Sequence, residues 1–78
     1  MSLEIQADPP AVEVHILRCR YHAACRARSC RAPAAFIARY IDGQGYFLRQ
    51  FELCPQHTDG AQTRDRTRGL RLIDYRHE

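Results

Sequence analysis

The sequence predicts a small α+β domain stapled by a metal ion, and three observations lead there. The chain has 78 residues, no Trp, three Phe and four Tyr. That is room for one domain with a thin apolar core, and natural domains of this size usually carry a staple. Two close pairs of soft or borderline ligands, Cys25 with Cys30 and Cys54 with His57, read C-x4-C, a spacer of 23 residues, then C-x2-H. The clearest hairpin signal in the chain lies inside that spacer.

Residues 1–11 read as a flexible leader, and residues 12–78 as the single metal-binding domain. Asp8-Pro9-Pro10 blocks a helix and disfavours an interior strand. From Val12 to Tyr21 the residues alternate, with Val12, Val14 and Ile16 on one face and Glu13, His15 and Leu17 on the other. Its β-branched content predicts an N-terminal strand. Tyr21 to Pro33 has no period and many Arg and Ala, as a loop wrapped around a metal would.

Ala34–Ile41 and Tyr46–Leu53 read as two strands joined by Asp42-Gly43-Gln44-Gly45, whose glycines tolerate positive φ. Phe36, Ala38 and Tyr40 share one face of the first strand. Phe47, Arg49, Phe51 and Leu53 share one face of the second, so the aromatics are expected to meet across the hairpin. They read as core, not as a base-stacking platform, because so short a chain needs its large side chains inside.

Pro55 suits the first position of a helix, where a missing N–H costs nothing. The helix is expected to run from Pro55 to about Arg68 and to stop at Gly69. Gly60 weakens it, and Thr58–Arg68 has almost no apolar stripe, so a solvated surface helix or a partly irregular segment is expected. Leu70–Arg76 reads as a short strand that fits beside Val12–Leu17, with a helix as the competing reading.

Zinc takes four thiolate or imidazole ligands at about 2.0–2.3 Å. A C-x2-H pair lets one tight turn aim two side chains at one point, and a hairpin in the spacer swings the other pair to meet it. Disulfides and an iron–sulfur cluster are the alternatives. Met1–Pro10 has neither the basic start nor the apolar run of a secretory signal, so a reduced, cytoplasmic setting is expected. A cluster protein usually places another Cys where His57 stands. A rival ligand set remains open: Cys19 and His22 also form C-x2-H, and Cys19 can replace Cys25 or Cys30 while His22 replaces His57. Otherwise Cys19 is a buried thiol at the end of a strand. His15 reads as a strand side chain and His77 as part of a frayed terminus.

The stretch from Cys25-x4-Cys30 through the hairpin to Leu53-Cys54-Pro55-Gln56-His57 resembles small bacterial zinc-ribbon and treble-clef-like proteins. The resemblance covers about residues 25–57. It implies a structural zinc on Cys25, Cys30, Cys54 and His57, with a hairpin between the ligand pairs and a short helix after the second. The first pair departs from the usual C-x2-C by its longer gap. The family serves many roles and implies no single one.

All twelve basic residues are Arg, and the formal net charge is +3. Residues 1–17 carry −3, residues 18–49 carry +6 and residues 50–78 are balanced. Arg18, Arg20, Arg26, Arg28 and Arg31 crowd the knuckle region, while Arg39 and Arg49 fall on the hairpin. Such a face suits phosphate or carboxylate partners. A GC-rich coding sequence would give the same Arg bias, so Arg content alone decides nothing.

An enzyme is not expected. Four protein ligands leave zinc no open position, and no catalytic triad, paired carboxylates or phosphate-binding glycine loop is present. The sequence points instead to a non-catalytic adaptor, regulator or inhibitor acting on a larger protein or protein–nucleic-acid complex. Direct nucleic-acid binding through the Arg-rich face is the alternative. Neither a membrane nor a small-molecule substrate is evident.

Overall fold

The computed structural model describes residues 10–77. The expected leader lies outside them except for Pro10 and Ala11, and Ala11 already belongs to a strand. Five elements follow in chain order: β1 (Ala11–Arg18), β2 (Phe36–Asp42), β3 (Phe47–Leu53), α1 (Pro55–Thr67) and β4 (Arg71–Asp74). The strands form one sheet in the order β3-β2-β1-β4. The β1–β2 and β2–β3 pairs are antiparallel, while β4 runs parallel to β1. The C-terminal segment is therefore the strand that fits beside β1, not the competing helix.

Alternation along the strands sets which side of the sheet the helix covers. Val14 pairs with Tyr40 and with Leu72, and Ile16 with Ala38, which pairs in turn with Phe51. Together with Leu53, Cys54 and Ala61 they form the main core between sheet and helix. Tyr40 and Phe51 meet edge to face at 6.1 Å between ring centroids, so part of the expected aromatic contact across the hairpin is present.

Two expected face assignments are corrected. The ladder shifts register between Tyr40 and Ile41, so Phe47 pairs with Ile41 while Arg49 pairs with Tyr40. The bulge takes Phe47 out of the Phe51–Leu53 row, and it is 55% exposed. A second register shift falls between Ala11 and Glu13. Val12 there leaves the row of Val14 and Ile16 and is exposed, not buried. A one-residue slip reverses the face of everything beyond it, which is why both residues leave the core.

The hairpin turn forms as its residues predict. Gly45 N–H donates to Asp42 O, and Asp42 Oδ1 accepts from the N–H groups of Gln44 and Tyr46 at 2.9 Å each. Gly45 adopts φ +89°, a conformation glycine takes without strain. Helix α1 starts at Pro55, ends with Arg68 as its cap, and is followed by Gly69 at φ +84°.

The helix is regular despite lacking an apolar stripe. Its inward face is Thr58, Ala61 and Asp65. Thr58 Oγ1 donates back to Cys54 O at 2.8 Å, and Asp65 accepts from Tyr40 Oη at 2.5 Å. Thr58 and Asp65 each have a partner, so this polar stripe can be buried. No helix among the described residues is long and apolar enough to cross a membrane.

Candidate metal centre

The loop between β1 and β2 makes the first half of the site. Cys25 N–H donates to Ala32 O, Ala34 N–H to Ala23 O, and Ala24 bridges Pro33. This narrow finger reverses at Ala27–Cys30, where Cys30 N–H donates to Ala27 O and Ser29 sits at φ +63°. The longer C-x4-C gap thus holds a tight turn that folds Cys30 back toward Cys25. Arg26 N–H donates to Glu52 O, and Ala35 N–H to Leu53 O. These two bonds dock the finger on the end of β3.

The second half is the start of α1. Cys54 is the N-cap, with extended φ −73° and ψ 166°, and Pro55 is the first helical residue. A cysteine there has no side-chain cap bond, so its thiol is free to turn toward the finger. His57 stands three residues on, at the same helix end. The first turn carries no acidic residue, and its exposed N–H dipoles favour the negative charge of thiolates.

The two halves converge. The ligand atoms of Cys25, Cys30, Cys54 and His57 all lie within 4.8 Å of one another. Cys54 Sγ is 3.2 Å from His57 Nδ1, Cys25 Sγ is 3.6 Å from the same nitrogen, and Cys30 Sγ is 4.0 Å from Cys54 Sγ. Cys25 and Cys54 are buried, while Cys30 and His57 are half-buried. All four cysteines are free thiols. The cluster is close enough to hold a metal ion, and among the described residues it is the only such group.

The backbone tunes the thiols. Burial alone would push the Cys25 thiol up. The N–H groups of Cys54 and Ala27, helped by the thiols of Cys30 and Cys54, outweigh burial and bring it down to about 7. Cys30 receives the Ala32 N–H, which favours its thiolate. Burial and the neighbouring Cys25 and Cys54 oppose that and hold its pKa above the ordinary thiol value. One N–H two residues on therefore points at each thiol of the finger, a pattern that stabilises thiolate charge.

Cys19 and His22 stay apart from this cluster. Cys19 Sγ donates to Tyr21 O at 3.3 Å, and His22 is exposed. His15 binds Glu13 Oε1 through Nε2 at 3.0 Å and packs edge-on against Tyr75, as a strand side chain. His77 lies beyond β4, in the terminal turn.

The seven arginines of the basic segment are spread widely. Arg20, Arg28 and Arg31 are exposed around the finger. Arg26 pairs with Glu52 at 3.5 Å, and Arg18 Nε donates to Arg76 O at 2.6 Å. Arg39 Nε donates to Gln50 Oε1 at 3.2 Å, whereas Arg49 lies over the Tyr40 ring at 5.6 Å. Because Arg39 and Tyr40 are successive residues of β2, and Arg49 pairs with Tyr40, Arg39 and Arg49 face opposite sides of the sheet.

Sequence reasoning missed a polar cluster between β2 and α1. Asp65 is 1% exposed and accepts from Tyr40 Oη, to which Arg64 Nη2 donates at 3.2 Å. Asp65 thus faces inward on a helix expected to be solvated. The one available signal was its spacing: Thr58, Ala61 and Asp65 recur at i, i+3 and i+7, the positions an inward helix face occupies. Compared with protein-family models, curated proteins and solved structures, the chain matches none.

Proposed function

We propose that this chain is a non-catalytic, zinc-stabilised binding module acting on a larger protein or a protein–nucleic-acid complex. The observation that carries the reading is the completeness of the donor set. Three thiols and one imidazole converge within 4.8 Å, so a tetrahedral ion bound there has no vacant position for substrate or activated water. A regular tetrahedron with zinc bond lengths has S···S edges of about 3.8 Å and S···N edges of about 3.6 Å. The Cys30–Cys54 S···S distance of 4.0 Å and the S···N distances of 3.6 and 3.2 Å from His57 lie near those edges. Thiolate-rich tetrahedral sites favour zinc over magnesium or calcium.

The order finger, hairpin, helix supports the treble-clef-like reading, in which β1 and β4 are additions to the sheet. In this reading zinc ties the finger to the helix start, and the domain presents a stiff surface to its partner. Protein partnership ranks first. Exposed Arg20, Arg28 and Arg31 favour direct nucleic-acid contact as the second reading. The opposite-facing Arg39 and Arg49 weigh against one continuous basic face.

Elemental analysis of the purified protein tests the metal, with one zinc per chain expected. Affinity purification after nuclease treatment tests the partner, and a stoichiometric protein is expected to survive. A metal-free chain that stays folded in a strong chelator overturns the module. Loss of all partners on nuclease treatment, with a gel shift on duplex DNA or RNA at low salt, moves the assignment to the second reading.

A further inference from the structure

The geometry points to a peptide-docking groove beside the metal ligands that accepts an acidic side chain next to an apolar one. Between α1, β3 and the finger lies a groove of about 300 Å³. Phe51 and Leu53 of β3 form its floor. His57, Gly60 and Arg64, at i, i+3 and i+7 of α1, form one wall, and Arg26 of the finger stands opposite. The volume suits one or two side chains, not a whole domain.

Three hydrogen-bond donors border this floor. His57 turns Nδ1 toward Cys54 and Cys25, which commits the other nitrogen, Nε2, to carrying the proton once Nδ1 is a ligand. Metal-bound imidazoles nearly always donate that N–H to an oxygen acceptor. Among the described residues Nε2 has no such acceptor, and the ring lines the groove. Arg26 uses one end of its guanidinium on Glu52 Oε1, and Arg64 uses Nε and Nη2 on Asp65 and Tyr40. Each retains donors, since a guanidinium has five.

The charge pattern selects the occupant. Arg26 and Arg64 are each half-neutralised by their own carboxylate partners, so the groove suits a single carboxylate, not a run of phosphates. Its apolar floor suits the residue beside that carboxylate. Glu or Asp adjacent to Phe or Leu in an extended partner segment meets both conditions. Here β3 is also an edge strand, and beyond Glu52, whose carbonyl the finger takes, its outer flank has no strand neighbour among the described residues with which such a segment would compete.

This inference rests on the binding-module reading, and its test separates the two. The zinc-loaded full chain is titrated with the acetylated, amidated tetrapeptides Ser-Glu-Phe-Ser and Ser-Gln-Phe-Ser while amide shifts are followed by NMR. The Glu peptide is expected to bind with Kd on the order of 1 mM and to shift His57, Gly60, Arg64, Phe51 and Arg26. The Gln peptide is expected to bind at least about fivefold more weakly. Gly60→Glu is the second arm. A side chain at Gly60 meets nothing within 4 Å, so this variant keeps its fold and zinc and loses about tenfold in affinity through like-charge repulsion.

Equal binding of the two peptides, shifts away from the groove, or stronger binding of oligouridylate at the same residues overturns the inference. If Gly60→Glu still captures the protein partner from lysate, the groove assignment fails and the module stands. If the chain is metal-free and ordered, the module fails whatever the peptides do.

Discussion

Removing the Tyr40 hydroxyl is the sharpest test of how the helix is fixed to the sheet. Tyr40 is 6% exposed, and its hydroxyl donates at 2.5 Å to Asp65, itself 1% exposed. The other close donor to that carboxylate is Arg64 Nε at 3.4 Å, on a side chain 59% exposed. Tyr40→Phe keeps the ring against Phe51 and beneath Arg49, so no cavity opens. What is lost is the hydrogen bond to a buried charged acceptor, together with the weaker one that the hydroxyl accepts from exposed Arg64 at 3.2 Å. That costs about 2–3 kcal/mol, or roughly 8–24 °C in melting temperature for a domain of this size.

Tyr40→Phe combined with Asp65→Leu removes donor and acceptor together, leaving no orphaned charge. The double variant is expected to be less destabilised than the sum of its singles by about 2 kcal/mol. Urea unfolding at fixed free zinc measures all three variants. Burial first, then Asp65, raises the Tyr40 pKa above 10. The folded chain thus keeps a proton that the unfolded chain releases, so this contribution is complete below pH 10 and declines above it. The Phe variant should lack that alkaline decline. A neutral single substitution, or energies that add within about 0.5 kcal/mol, would refute the coupling.

Cys54→Ser should abolish zinc binding and unfold the domain. A structural zinc contributes on the order of 10 kcal/mol, against a net stability of about 4–12 kcal/mol for a chain this long. Cys19→Ser should retain one zinc by elemental analysis, and equal loss would reassign the ligands. Zinc binding at pH 7 should release at least ~1.5 protons, because Cys25 sits at about 7 and Cys30 above its ordinary value. Affinity should therefore tighten as pH rises from 6 to 9, and calorimetry in two buffers measures the proton count. Gly60→Ala, in open space on the helix, should stabilise by about 1 kcal/mol. Gly69→Ala, at φ +84°, should destabilise by a similar amount, and thermal melts give both signs.

Local chemistry was the legible part of this chain. Asp42 to Gly45 announced its turn, Pro55 and Gly69 bracketed their helix, and the Cys and His spacing brought together the four residues now found side by side. These signals need only neighbours in sequence. What stayed hidden depended on partners far along the chain. Alternation put Phe47 with Phe51 and Val12 with Val14, but two register shifts moved both outward, and a bulge leaves no mark in side-chain pattern. A helix without an apolar stripe read as solvated, and only Tyr40 placed opposite it reveals that Asp65 is buried. Arg39 and Arg49 read as one basic patch because only pairing reveals that they face opposite ways.

The parallel pairing of β1 with β4 imposes an order on biosynthesis. Strand β1 has its outer flank covered only when Arg71–Asp74 arrive, since His15 waits for Ile73. Until then a β-branched ribbon offers bare N–H and C=O groups to any other nascent polypeptide. Translation that stopped just short of Arg71 would deliver all four residues of the Cys and His cluster and still leave this seam open, giving a species expected to self-associate.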